Sequence, residues 1–225
     1  ENKSDADKMQ IVAQIIRTMN GDKDSFYSDE IRFLEKLIRM VGPNSDDISV
    51  NERWYYTYGP GCVQVIDALA ELRESGIVEP QLVAQEITYI REYYGSDYQT
   101  DIKKRIFWLE KAIRIAREVL ERAAHPNIDT ETWQQGLVDS ITVESIFAEL
   151  KLERCYAKAA EEGIALENTE MPLLYSYAQR SQLLQEIITG QPENSYAYTA
   201  LLSCFNAQYA GNPGDVEMLA SMADI

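Results

Sequence analysis

Apolar residues in this chain return at alternating intervals of four and three. The clearest run is Ile102, Ile106, Leu109, Ile113, Ala116 and Leu120, a spacing that lines one side of an α-helix with a continuous seam. It predicts a helix over 97–124, closed by His125-Pro126, because proline has no N–H to donate to the carbonyl four residues back and disfavours helix in the residue before it. Ile31, Leu34, Leu37, Ile38 and Val41 predict another, entered after Ser28 and stopped at Gly42-Pro43. Ala148, Leu152, Cys155 and Ala159 place a third on one stripe. Thr142 is its expected N-cap, with Ile141 and Ile146 as a hydrophobic staple. Further helices are expected from Ser4 to Asn20-Gly21, over 62–75, over 80–94 opened by Pro80, over 130–139, 170–189 and 193–210, and in a short piece after Asn212-Pro213-Gly214-Asp215. Only Trp54–Tyr58 has strand composition, and one strand makes no sheet. The fold class is therefore all-α: stacked antiparallel helices, as an α-solenoid-like repeat or an irregular bundle. It is read as one domain over 1–225, with 126–141 the place for any subdivision.

One helical phrase echoes at constant spacing. Residues 33–39 are FLEKLIR, 108–114 WLEKAIR and 183–189 LLQEIIT, each step being 75 residues. Such self-similarity is expected of stacked helical units, where each buries its apolar face on the next. Residues 192–205, PENSYAYTALLSCF, resemble the opening of a tetratricopeptide repeat: Pro192 stands at the family's repeat end, and Tyr198, Leu201 and Phe205 at its large, Leu and aromatic positions. Leu202 departs from the family's small residue and Ala220 falls late for the next helix's alanine, so the likeness spans 192–220 only. It implies a helical stack that binds peptides or partner proteins in a groove.

Charge narrows the functional classes. The chain carries 37 acidic and 21 basic side chains, a net charge of −16. Repulsion from phosphates disfavours nucleic acid and anionic membrane as partners. Residues 101–125 run against the trend, with seven basic and four acidic groups. Glu110, Arg114, Glu118 and Arg122 are spaced as an i,i+4 ion-pair ladder, with Arg117 facing Glu121. Lys103, Lys104, Arg105 and Lys111 are left without a partner on their own helix. After Lys158 the only basic side chain is Arg180.

Motifs of catalysis are missing. The sole histidine, His125, rules out HExxH and paired ExxH metal motifs. DKDSFYS at 22–28 lacks the spacing and glycine of an EF-hand loop, and NSDDISVNE at 44–52 is not the acidic motif of prenyl-chain synthases. There is no GxSxG elbow and no glycine-rich phosphate loop. No metal and no cofactor are expected. Cys62, Cys155 and Cys204 are odd in number and far apart, which suits buried thiols in a reducing compartment.

Tyrosine is the compositional outlier, with 14 residues. Trp54, Tyr55, Tyr56 and Tyr58 precede Gly59-Pro60-Gly61, and Tyr93, Tyr94 and Tyr98 surround Gly95. Loop tyrosines combine contact area with a hydroxyl at low entropic cost, so these seven rings are the candidate binding residues; the alternative is that they plug the ends of the helical stack with their hydroxyls at the surface. The expected function is a protein-interaction module or adaptor for a peptide or partner protein in the cytoplasm. The alternatives are the soluble part of an exported periplasmic or surface lipoprotein binding glycan or peptide, with its lipid anchor ahead of Glu1, and an enzyme with an unidentified carboxylate site. No apolar run reaches the roughly 18 residues of a membrane span.

Overall fold

Pro80 opens a helix because its missing N–H falls where a first turn has no acceptor to offer, and it begins the first of five helices described between there and Gly211. The computed structural model describes residues 62–76, 78–125, 133–167 and 170–211. Six helices are found among them: α1 (62–74), α2 (Pro80–Tyr93), α3 (Ile102–Ala123), α4 (Gln135–Glu161), α5 (Tyr177–Gly190) and α6 (Ser195–Gly211). There is no strand among the described residues, so the all-α class holds. The chain divides into two compact units, Glu1–Gly76 and Ile77–Ile225. Of the first unit, α1 is described: Cys62, Val65, Ile66, Leu69 and Leu72 are its buried stripe. The helices expected over 4–20 and 28–42, and the one after Asp215, lie outside the described residues.

In the second unit, α2, α3 and α4 pack on one another, while α5 and α6 pair and lie against α4. The α3 seam is inward as expected: Leu109, Ile113 and Ala116 are fully buried, Ile102 and Ile106 nearly so. Each such leucine or isoleucine side chain contributes about 1.5–3 kcal/mol on burial. Arg122 near the end of α3 meets Trp133 ahead of α4, and Glu110 meets Tyr156, so the two helices run antiparallel. Gly95 makes the reversal between α2 and α3 possible. A Cβ there would collide with the Arg91 carbonyl and crowd Leu109 and Lys151.

Helix α4 corrects the expected boundaries. Gln135 to Glu161 is one unbroken helix of 27 residues, with Thr142 in its interior and not at its cap. The Thr142 hydroxyl donates to the Val138 carbonyl at 3.2 Å, so the side chain that imitates a cap in sequence is satisfied inside the helix. Ile141 and Ile146, the expected staple, are both fully buried core residues. Gly163 ends α4 at φ 67°, with Gly163 N–H donating to Ala160 O and Ile164 N–H to Ala159 O, the paired bonds of a glycine-closed helix end. Helix α5 begins at Tyr177, later than expected, behind a reciprocal cap in which Ser176 and Gln179 each satisfy the other's backbone N–H.

Leu109 and Leu184 are each the eighth residue of their helix, and the N-caps Asp101 and Ser176 stand 75 apart. Both leucines are fully buried; the first copy, at Leu34, lies outside the described residues. The α4–α6 core is Val143, Ile146, Leu150, Leu184, Ile187, Ala197, Ala200, Leu201 and Cys204, where the small α6 residues allow close approach.

Candidate functional site

Trp54, Tyr55, Tyr56 and Tyr58 lie outside the described residues. The other three candidate rings sit at the α2–α3 turn. Tyr94 is buried and stacks flat on Trp108, with centroids 4.1 Å apart and planes within 2°. Tyr93, half-buried, meets Tyr94 edge-on at 4.9 Å. Tyr98 is half-buried and its backbone N–H bonds to the Ser96 hydroxyl. The row continues through Trp108 to Phe107, edge-on at 5.8 Å. Phe107 is 55% exposed, the most exposed large apolar side chain among the described residues.

Two cations lie over this row. Lys104 Nζ is 5.5 Å from the Tyr94 ring centre and Lys111 Nζ 4.6 Å from that of Trp108, within the range of attraction to an aromatic face. Lys103 and Arg114 are exposed nearby on the same stripe. The expected ion-pair ladder does not form: Lys158–Glu162 is the one i,i+4 pair among the described residues. Glu110 instead accepts from the Tyr156 hydroxyl at 2.7 Å, Arg117 donates to the Pro172 and Leu173 carbonyls, and Arg122 lies over Trp133. Partners from other elements outcompete the weak same-helix pairs, each worth about 0.2–0.5 kcal/mol. Desolvation, with the bond to Glu110, pushes the Tyr156 phenol up to about 12. Beside Phe107 a groove of about 290 Å³ is lined by Lys103, Ile106, Glu110, Tyr156, Leu166 and Glu167.

The remaining charge chemistry is interior. Glu144 and Glu149 project from α4 about 140° apart at roughly 100° per residue. Glu144 pairs with Arg91 of α2 at 3.0 Å, and Glu149 with Arg180 of α5 at 2.8 Å. Arg180 also bonds Glu153 at 2.9 Å, which accepts in turn from Tyr177. The Leu174 and Tyr175 N–H groups donate to Glu149. Burial pushes the Glu149 carboxyl up, against the pull of Arg180 and those two backbone bonds. For Arg91, burial works against the charge, and Glu144 with Glu92 outweighs it, leaving the guanidinium above its ordinary value. Glu149 has no solvent contact, so its carboxylate organises the fold and faces no substrate. Among the described residues no three His, Cys, Asp or Glu side chains converge as a metal site, and no helix is long and apolar enough to cross a membrane.

Phe107 and Trp108 flank the seam and join neither tyrosine cluster, so their sequence positions alone do not mark them as a site. The signal was present in Lys103, Lys104 and Lys111 beside them; Arg105, the fourth basic residue without a partner on its helix, is buried and pairs with Asp97 at 2.8 Å. No protein-family model, curated protein or solved structure matches the chain.

Proposed function

We propose that this chain is a protein-interaction module that takes a peptide or partner-protein segment on the outward face of α3. The observation that carries the reading is Phe107, left 55% exposed at the end of an aromatic row over which Lys104 and Lys111 are held. Interface hot spots favour such anchors, with aromatic area beside a cation and a pocket at hand. The two helical pairs α3–α4 and α5–α6 and the 75-residue register between them support a stacked-helix scaffold, to which the tetratricopeptide-like stretch at 192–205 would also belong.

A random-peptide display selection on the full chain tests the reading. The expected result is an enriched set of peptides whose binding is lost in Phe107→Ala. A selection that enriches nothing over a blank surface, or peptides indifferent to Phe107, would overturn it. Far-UV circular dichroism of the variant keeps loss of binding separate from loss of fold, because an exposed ring contributes little to the core.

A further inference from the structure

Lys103, Lys104, Lys111 and Arg114 share the outward stripe of α3 with Phe107, and among the described residues none of the four forms an ion pair. In a chain of net charge −16 this is a local reversal of sign. From Lys103 to Arg114 the stripe is about 16 Å long at 1.5 Å per residue. Glu110 and Glu118 stand on the same side of the helix, so the stripe sets four cations against two carboxylates, a local excess of positive charge that a short ligand meets within the screening length of about 8 Å at physiological salt. A polyanion that runs on past the stripe meets the acidic remainder of the surface, which disfavours nucleic acid and anionic bilayers. A short segment does not.

The groove beside Phe107 supplies the second element. Ile106 and Leu166 give it apolar walls, and its two carboxylates, Glu110 (bonded by the Tyr156 hydroxyl) and Glu167, suit it to an uncharged side chain and not to an acid. Resting on the interaction-module reading above, we propose that the occupant is an acidic peptide segment, its carboxylates against Lys103, Lys104, Lys111 and Arg114 and one large apolar side chain in the groove.

The test probes the labelled full chain on an array of short peptides that vary in the sign of their charge and in whether they carry one Phe or Leu. Binding is expected on acidic spots with the apolar residue, weakened roughly tenfold or more without it. Lys104→Glu with Lys111→Glu should weaken it by at least as much, and raised salt should weaken it further. Both lysines are on the surface, and an unchanged circular dichroism spectrum verifies the fold. Silence on the acidic spots, or binding untouched by charge reversal, overturns the proposal. Preference for basic or neutral peptides that still depends on Phe107 overturns the acidic occupant while the module reading stands. Two further outcomes also overturn it: concentration-dependent self-association abolished by the double reversal, which makes the occupant a second copy, and capture by phosphatidylserine vesicles through the same lysines.

Discussion

The two arginine–glutamate pairs flanking α4 solve one problem in different ways. Arg180 and Glu149 are sealed, with side chains 1% and 0% exposed, yet Arg180 Nη1 has no hydrogen-bond partner. Arg91 lies nearer the surface, and its three nitrogens reach Glu144, Glu92 and the Tyr196 oxygen, with Phe147 packed 5.1 Å beneath the guanidinium. Tyr196 itself is 40% exposed. Depth and saturation are therefore separate properties. The deep pair depends on protein partners alone, whereas the shallow pair has water within reach if a partner is lost.

The largest expected effect follows from that difference. Arg180→Met should destabilise by about 3–5 kcal/mol, because it strands a carboxylate in the interior. The deficit should narrow in acid. Glu149, without its cation, has a folded-state pKa raised above the unfolded value, so its contribution is favourable below the ordinary carboxyl range of about 4 and is lost as pH rises. Urea curves at several pH values measure both. Arg91→Met should cost less, about 1–3 kcal/mol, since Glu92 and Tyr196 open the site to solvent. Equal losses at the two arginines would break the comparison.

Smaller effects sharpen it. Tyr196→Phe and Tyr177→Phe each remove one hydroxyl from a pair and should cost about 0.5–1.5 kcal/mol, with Arg91 and Arg180 variants respectively as the partners for double-mutant cycles. Smallest in energy is a chemical signature near the deep pair. Burial pushes the Cys204 thiol up to about 11 and raises that of Cys155. Alkylation of both near pH 8 should be slow in the native protein and fast after denaturation, because the thiolate is the reactive form; mass spectrometry of labelled peptides reads each site. Fast native labelling of Cys204 would mean that this region opens readily.

The helices were legible wherever the apolar period was strong, as along Ile102 to Ala116. Boundaries failed where polar side chains have two uses. Thr142 reads as a cap, but a threonine hydroxyl bonds equally well to a carbonyl four residues back. The ion-pair ladder failed for a related reason, since spacing on one helix says nothing of Tyr156 or the Pro172 carbonyl arriving from elsewhere. Glu149 and Arg180 are 31 positions apart and neither has a local mark of burial, so the pairing exists only once α5 lies on α4. At the candidate site, the sequence marks Tyr94 as part of an aromatic group and leaves open whether its ring packs or is presented; it packs. Its cover, Trp108, is 14 residues on, across the turn that Gly95 permits.

Glu149 also reaches beyond its helix. By accepting the N–H groups of Leu174 and Tyr175 it fastens an irregular stretch of backbone to a carboxylate with no solvent exposure. Those two amides belong to no helix and lie in a segment only half-buried, where exchange with deuterated solvent is ordinarily rapid. Here they should exchange on the timescale of the opening that releases α5 from α4, so the connector between the two helical pairs is as slow to breathe as the interior it is tied to.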